Sequence, residues 1–357
     1  MKKIGIITLC ANNNYGNKLQ NYAIIYTLKK YNNCLPYTIW IENSFCNNNI
    51  KQYIKAYRNK LKDLIKKRTR IFKKFNTNLS IYNKKIITND DINKIQSNFD
   101  SFIIGSDQVW NPYFMDNYDI YFLSKFDCHK KIPFSASFGI DEIPEIFKDR
   151  IKEELNKFEK ISVREEKGKE IIEKLTGRID TEVLVDPTML LTEREWDKIS
   201  KKPKQLKTNK YILNYFLGCL SEQRKFEIER IAKENDCEVI NILDKNSSFY
   251  ETGPSEFLYL EKNAFLICTD SFHSSVFAIL YNRPFIVFNR EGNAQDMNSR
   301  IETLINKFHL KNRRYNGSKI TKENLEHDYT EAYKILEEER KKSDAFLKKA
   351  LDIKESE

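Results

Sequence analysis

The residues best placed to do chemistry lie in "CTDSFHSSVFAIL", where Asp270, Ser271, His273, Ser274 and Ser275 separate two apolar runs. The chain has only four histidines. An imidazole changes charge near neutral pH, so it can serve as acid or base in a reaction. By composition alone, however, a lone histidine between apolar runs is more often a packed core residue. Asp270 has two roles open to it: to orient the imidazole and raise its pKa, or to cap the helix that follows. Ser274 and Ser275 stand where that helix begins, a place suited to phosphate. A Ser-His-Asp hydrolase does not fit, because residues two or three apart on a tight turn need not converge and GxSxG is missing. A metal held by Cys268 and His273 lacks further ligands at sensible spacing, so no metal is expected.

Similar polar clusters end other apolar runs. Arg164 in "SVRE" follows a short strand pattern and precedes a helix, which aims its guanidinium at the strand-end cleft; the alternative is a surface ion pair with Glu165 or Glu166. Asp107 in "GSDQVW" either accepts a proton from an acceptor hydroxyl or caps the turn that follows, with Trp110 buried beneath. Ser137 in "SASFG" is a donor at another strand end. The loop Asn12–Asn17, with Asn14, Gly16 and Asn17, opens a helix, and its amides and glycine can approach a phosphate or sugar closely. Its alternative is an ordinary turn, where Asn and Gly are common.

Positioning these groups requires strands that all end on one edge. Ile4 to Leu9 reads as a strand, followed by the Asn-rich loop and a helix carrying Leu19, Tyr22, Ala23 and Tyr26 on one face. That order opens a doubly wound α/β domain, although GxGxxG is absent. Further strands are expected at 101–104, at "KKIPFSASFG", at "KISV" and at "TEVLVDP", with helices at 47–75, 144–158 and after Glu165. Residues 89–99 are expected to link to the next strand. The Lys-rich stretch 198–210 is the linker candidate. A second series follows: strand "YILNY", helix 221–235, strand "CEVINIL", the block around His273, "RPFIVF", and helices at 299–308 and 328–352. The expected fold is α/β, with two Rossmann-like domains facing across a cleft at the carboxyl edges of their sheets. The boundaries are 1–200, 201–325, and a charged C-terminal helix, 326–357, packing back on the first domain.

At 357 residues, with 23 Phe and 19 Tyr, the chain is long enough for two cores. The first residues are not a signal peptide, and no apolar run reaches the roughly 18–20 residues that span a bilayer. Seven scattered cysteines without CxxC point to reduced thiols in a cytoplasmic protein. The net charge is +10, and residues 51–75 carry eleven Lys or Arg against one acid. That stretch is either a solvated face or a contact for anionic lipid head groups or a diphosphate-bearing acceptor at the inner face of the membrane. No nucleic-acid signature accompanies it.

Taken together, "NNNYGNKLQNYAI", "IIGSDQVWNP", "YFLSKF", "PFSASFG", "ISVREEKGKEII", "VLVDPTMLL", "YFLG", "GPSEFLYLEKNAFLICTDSFHSSVFAIL" and "MNSRIETLI" resemble the polysaccharide pyruvyl transferase family. The matches are collinear from about residue 12 to 305. The resemblance implies a GT-B-like fold and transfer of a pyruvate unit from phosphoenolpyruvate, as co-substrate, to a sugar. The implied product is a ketal bridging two hydroxyls in a bacterial capsule, exopolysaccharide or cell-wall glycan precursor, lipid-linked or free, with no cofactor. It assigns His273 as a catalytic residue and Arg164 as the arginine that binds the phosphoenolpyruvate anion. Beside them stand the candidates read from the residues themselves, Asp270 and Asp107 for proton transfer and Ser274, Ser275 and Ser137 as donors, although many relatives have Gly-Thr or Gly-Ala where this chain has Ser274-Ser275. Many relatives carry an arginine two residues before the histidine, where this chain has Ser271; Arg300 in "MNSR", ahead of Arg290 in "FNRE", is expected to supply that cation.

Two other classes fit parts of the pattern. A nucleotide-sugar glycosyltransferase of the same architecture would also use a basic site with strand-end carboxylates, since fold alone does not settle function. A non-catalytic glycan-binding relative would keep the fold and not need the histidine.

Overall fold

A computed structural model describes residues 1–10, 13–41, 67–86, 89–114, 118–127, 130–292 and 298–353. The chain divides into two units, Met1–Leu190 with Glu339–Glu357, and Leu191–Glu338. The irregular Lys-rich stretch 198–210 therefore lies inside the second unit, where the Lys201 amide donates to the Ser255 carbonyl at 2.9 Å.

The first unit is built on a five-stranded parallel sheet of order β3-β2-β1-β4-β5. Its strands are β1 (Lys2–Ile7), β2 (Cys34–Ile41), β3 (Ile81–Ile86), β4 (Ser101–Ile104) and β5 (Lys131–Pro133). Ile4, Ile6, Ile7, Phe102, Ile103 and Ile104 are all fully buried, as a sheet covered on both faces requires. Helix α1 (Tyr15–Lys29) crosses from β1 to β2. Helix α2 (Lys67–Phe75) is the described part of the basic stretch; residues 51–66 lie outside the described residues. It turns Phe72 and Phe75 inward and leaves Lys67, Arg70 and Lys74 exposed. The segment expected to link to β4 instead forms helix α3 (Asn89–Gln96), with Asp90 and Asp91 in its first turn where acids favour the helix dipole. A short helix α4 (Tyr118–Tyr121) precedes β5.

Beyond β5, helix α5 (Glu145–Leu155), strand β6 (Ser162–Val163), helix α6 (Glu166–Thr176) and strand β7 (Glu182–Val183) complete this part. Single bridges from Asp107 to Ala136 and from Ala136 to Val163 carry the parallel order across to the β6–β7 pair. The chain's last residues also belong to the first unit. Tyr31 Oη donates to Asp344 Oδ1 at 2.6 Å, and Arg340 Nε donates to the Met189 carbonyl at 2.8 Å.

The second unit opens with helix α7 (Glu193–Asp197), started by a capping box between Thr192 and Glu195. Its parallel sheet has the order β11-β10-β8-β9, from β8 (Tyr211–Tyr215), β9 (Glu238–Asn241), β10 (Leu266–Thr269) and β11 (Phe285–Val287). The helices are α8 (Glu222–Glu234), α9 (Pro254–Asn263), α10 (Phe272–Leu280), α11 (Asn298–Lys307) and α12 (Lys322–Leu325). Helix α13 (Thr330–Ala350) then carries the chain from the second unit into the first. All nine residues of α10 are buried, so it is a core helix, apolar on every side except at its first turn. No helix among the described residues is long and apolar enough to cross a membrane.

Candidate functional site

Each sheet reverses its strand order once, between β1 and β4 in the first unit and between β8 and β10 in the second. In open α/β sheets the crevice at the carboxyl ends of such a pair is where ligands bind. The polar residues picked out in the sequence collect at these two places.

In the first unit, β1 is followed by Thr8 and β4 by Gly105-Ser106-Asp107. A Cβ on Gly105 would stand 2.7 Å from Thr8 Cβ, so only glycine lets the two strand ends come this close. The Thr8 hydroxyl donates to the Ser106 carbonyl at 3.1 Å and receives Gln20 Nε2 at 2.8 Å. Asp107 has φ 74° and Ser135, two residues beyond β5, has φ 50°. Such non-glycine strain costs on the order of 1–3 kcal/mol and concentrates at functional sites.

Arg164 is not aimed at solvent. Its side chain is 1% exposed and bridges two carboxylates, with Nη1 on Asp186 Oδ2 at 2.6 Å and Nη2 near Asp107 Oδ1 at 3.5 Å. Burial works against its charge, but Asp186, Asp107 and Glu165 outweigh that and hold the guanidinium above its usual pKa. The surface alternative is thereby corrected: Arg164 is buried at the strand ends between Asp186 and Asp107, not a surface partner of Glu165 or Glu166. Asp186 also accepts from the Ser106 hydroxyl at 2.8 Å and from Thr188. Asp107 receives Asn17 Nδ2 and, at 2.9 Å, the amide of Gln108. Its carboxylate is thus held by helix α1 and by the turn it begins.

The remaining first-unit candidates are committed to the protein. Ser137 Oγ donates to Glu165 Oε1 at 2.9 Å, an oxygen that also takes the amides of Phe138 and Gly139. Asn14 is the N-cap of α1 and accepts the Asn17 amide at 3.1 Å. Gly16 is a buried residue within α1 rather than a turn glycine. Asn12 lies outside the described residues.

In the second unit, His273 is the second residue of α10, at the carboxyl end of β10, and is 7% exposed. Asp270 turns to the neighbouring loop, not to the ring. Its oxygens accept the amides of Leu217 at 2.6 Å and Gly218 at 2.8 Å, and Arg290 Nε lies 3.3 Å away. Neither the orienting nor the capping role describes these bonds: Asp270 ties the loop after β8 to the strand end of β11. Gly218 is required there, since a Cβ would lie 2.6 Å from the Glu291 carbonyl and 3.1 Å from Asp270 Oδ2. Beside this junction opens a pocket lined by Asn214, Phe216, Gly218, Leu220 and Asn241.

The serines after His273 face inward. Ser274 Oγ donates to Glu261 Oε1 at 2.6 Å, and Ser275 Oγ donates to the Ser271 carbonyl at 3.1 Å. Both hydroxyl protons are thus engaged within the protein. Of the two arginines offered in place of Ser271, Arg290 is the one joined to Asp270, while Arg300 is buried in α11. Sequence reasoning missed Glu261 entirely. It is fully buried on α9, and burial pushes its carboxyl well above the usual range, against the pull of Ser274. A glutamate inside the apolar run "FLYLEKNAFL" was the available signal.

Among the described residues, no group of three or more His, Cys, Asp or Glu is arranged to hold a metal ion.

Comparison with known proteins places this geometry. A putative UDP-N-acetylglucosamine 2-epimerase from Listeria monocytogenes shares the fold at a TM-score of 0.52 and 12% identity, over 96% of this chain and 90% of that one. A UDP-N-acetylglucosamine 2-epimerase from Rickettsia bellii gives 0.49 and 13%, over 99% and 97%. The ADP-heptose LPS heptosyltransferase II of E. coli gives 0.36 and 9%, over 96% and 100%. The fold is therefore α/β with parallel sheets, GT-B-like. No curated protein matches the sequence. The profile described as "Polysaccharide pyruvyl transferase" matches residues 14–292, which takes in both strand-end clusters, and the chain belongs to the polysaccharide pyruvyl transferase family.

Proposed function

We propose that this protein moves the pyruvate unit of phosphoenolpyruvate onto a sugar of a surface polysaccharide or cell-wall glycan precursor, forming a ketal. Family membership supports transfer of a pyruvyl group to a polysaccharide. The observation that carries the chemistry is the position of His273, at the start of a core helix and at the strand-order reversal of its sheet.

In this reading protonated His273 gives its proton to C3 of the enol, which becomes a methyl group. C2, now oxocarbenium-like, is captured by one sugar hydroxyl, whose proton returns to the imidazole. The second hydroxyl then displaces phosphate at C2, and its proton leaves with the phosphate. Arg290, paired with Asp270 at 3.3 Å, and Arg300 are the cations assigned to the donor's negative charges, for which an arginine fork is suited. The Arg164, Asp186 and Asp107 group is assigned to holding the first unit's strand ends in place. The acceptor is a glycan or lipid-linked sugar and the protein is cytoplasmic; the basic stretch 51–75 is offered to anionic lipid at the inner face of the membrane.

Thermal unfolding with ligands tests the donor. Phosphoenolpyruvate is expected to raise the midpoint, and UDP- or GDP-sugars are not. Protection by a sugar nucleotide alone would replace this reading with a glycosyltransferase.

A further inference from the structure

The first unit holds a buried cation for which the transfer chemistry has no use. Lys18, in the second turn of α1, is 1% exposed. Its ammonium lies 4.7 Å from the centre of the Trp40 ring on β2. Among the described residues it meets neither a carboxylate nor a hydrogen-bond acceptor.

Among the described residues, its surroundings add no negative charge. Cys10, just after β1, donates its thiol to the Thr8 carbonyl at 3.3 Å, and burial raises its pKa to about 11, so it stays neutral at pH 7. The charge of Lys73, on α2, acts on Lys18 in the same direction as burial. Burial first, and with it the repulsion from Lys73, bring Lys18 down to about 8, which still leaves it charged near neutrality.

A desolvated ammonium without a partner costs several kcal/mol. A contact with an aromatic face returns about 2 kcal/mol. The balance improves sharply when an anion arrives. Position agrees, since Cys10 follows β1 and Trp40 is next to last in β2, which puts the ammonium at the carboxyl edge where α/β sheets bind ligands. Two lysine ammoniums are compact point charges suited to a phosphate group.

We propose that Lys18, with Lys73, forms a phosphate-binding subsite at the carboxyl edge of the first sheet, taking the phosphate or diphosphate group of a substrate. The subsite does not depend on the assignment of His273.

The test is thermal unfolding of the full chain in inorganic phosphate or pyrophosphate, against potassium chloride at equal ionic strength. Wild type is expected to be protected by both anions. Lys18→Met is expected to bind them at least about tenfold more weakly, yet to be as stable as wild type in chloride, because an unmet buried charge has gone. His273→Ala is expected to keep the protection. Separate arms with phosphoenolpyruvate and with a sugar 1-phosphate identify which source carries the group, since only the true source gains more from Lys18 than inorganic phosphate does. The proposal is overturned by equal protection of Lys18→Met, by no protection of wild type, or by loss of protection in His273→Ala. Should Lys18→Met not fold, Lys73→Gln decides: weaker protection supports the subsite and unchanged protection overturns it.

Discussion

Ser274 gives its hydroxyl proton to Glu261 across 2.6 Å, so the residue after His273 is fastened to a carboxyl with no exposure to solvent. The first turn of α10 is thus anchored from behind.

Glu261 makes stability depend on pH in a stated direction. Its folded pKa is raised, burial being the main cause. The folded state therefore keeps a proton that the unfolded chain releases above about pH 4.3. The contribution is fully present below that pH and is lost as pH rises toward the folded value, by up to about 1.4 kcal/mol per unit. Glu261→Gln keeps a neutral acceptor for Ser274 and removes the slope. Urea unfolding from pH 4 to 8 is expected to show the variant gaining on wild type as pH rises; parallel curves would contradict a protonated Glu261.

Arg164 is a matter of stability before binding. Arg164→Met leaves Asp186 and Asp107 buried without their cation, a loss of about 3–5 kcal/mol. Denaturant midpoints check this. Wild-type stability with only a weakened affinity for phosphoenolpyruvate would return Arg164 to the role of an anion clamp.

Gly218→Ala places a methyl group 2.6 Å from the Glu291 carbonyl, a backbone atom that cannot swing away. The loop after β8 must shift, at about 1–3 kcal/mol, and the Asp270 hydrogen bonds to Leu217 and Gly218 are stretched. Lower stability together with lower turnover is expected. A variant indistinguishable from wild type in both would contradict the fixed junction described for this loop.

Much of this was legible in the sequence because period and position carry it. The strand at β10 and the helix at α10 follow from apolar runs on either side of "TDSFHSS", and that placed His273 at a strand end. The segment 89–99 read as a link because Ile92, Ile95 and Phe99 are its only apolar residues, yet all three pack into the core, and the two isoleucines hold α3 there. The partners of polar groups were not legible. Arg164 meets Asp186 from 22 residues away and Asp107 from 57, and only the fold brings those together. For the same reason Asp270 looked like a companion of His273, three positions on, while its hydrogen bonds run to Leu217 and Gly218 on another strand's loop.

The measurement that bears most directly on the central claim is ketal formation by the His273→Gln variant. Purified wild type is incubated with phosphoenolpyruvate and a panel of glycan acceptors, and the pyruvylated product is followed by mass spectrometry alongside released phosphate. General acid–base catalysis is worth about 10²–10⁴-fold. The account predicts a fall of that size in turnover, with the unfolding midpoint little changed. Turnover equal to wild type in a folded His273→Gln would contradict it.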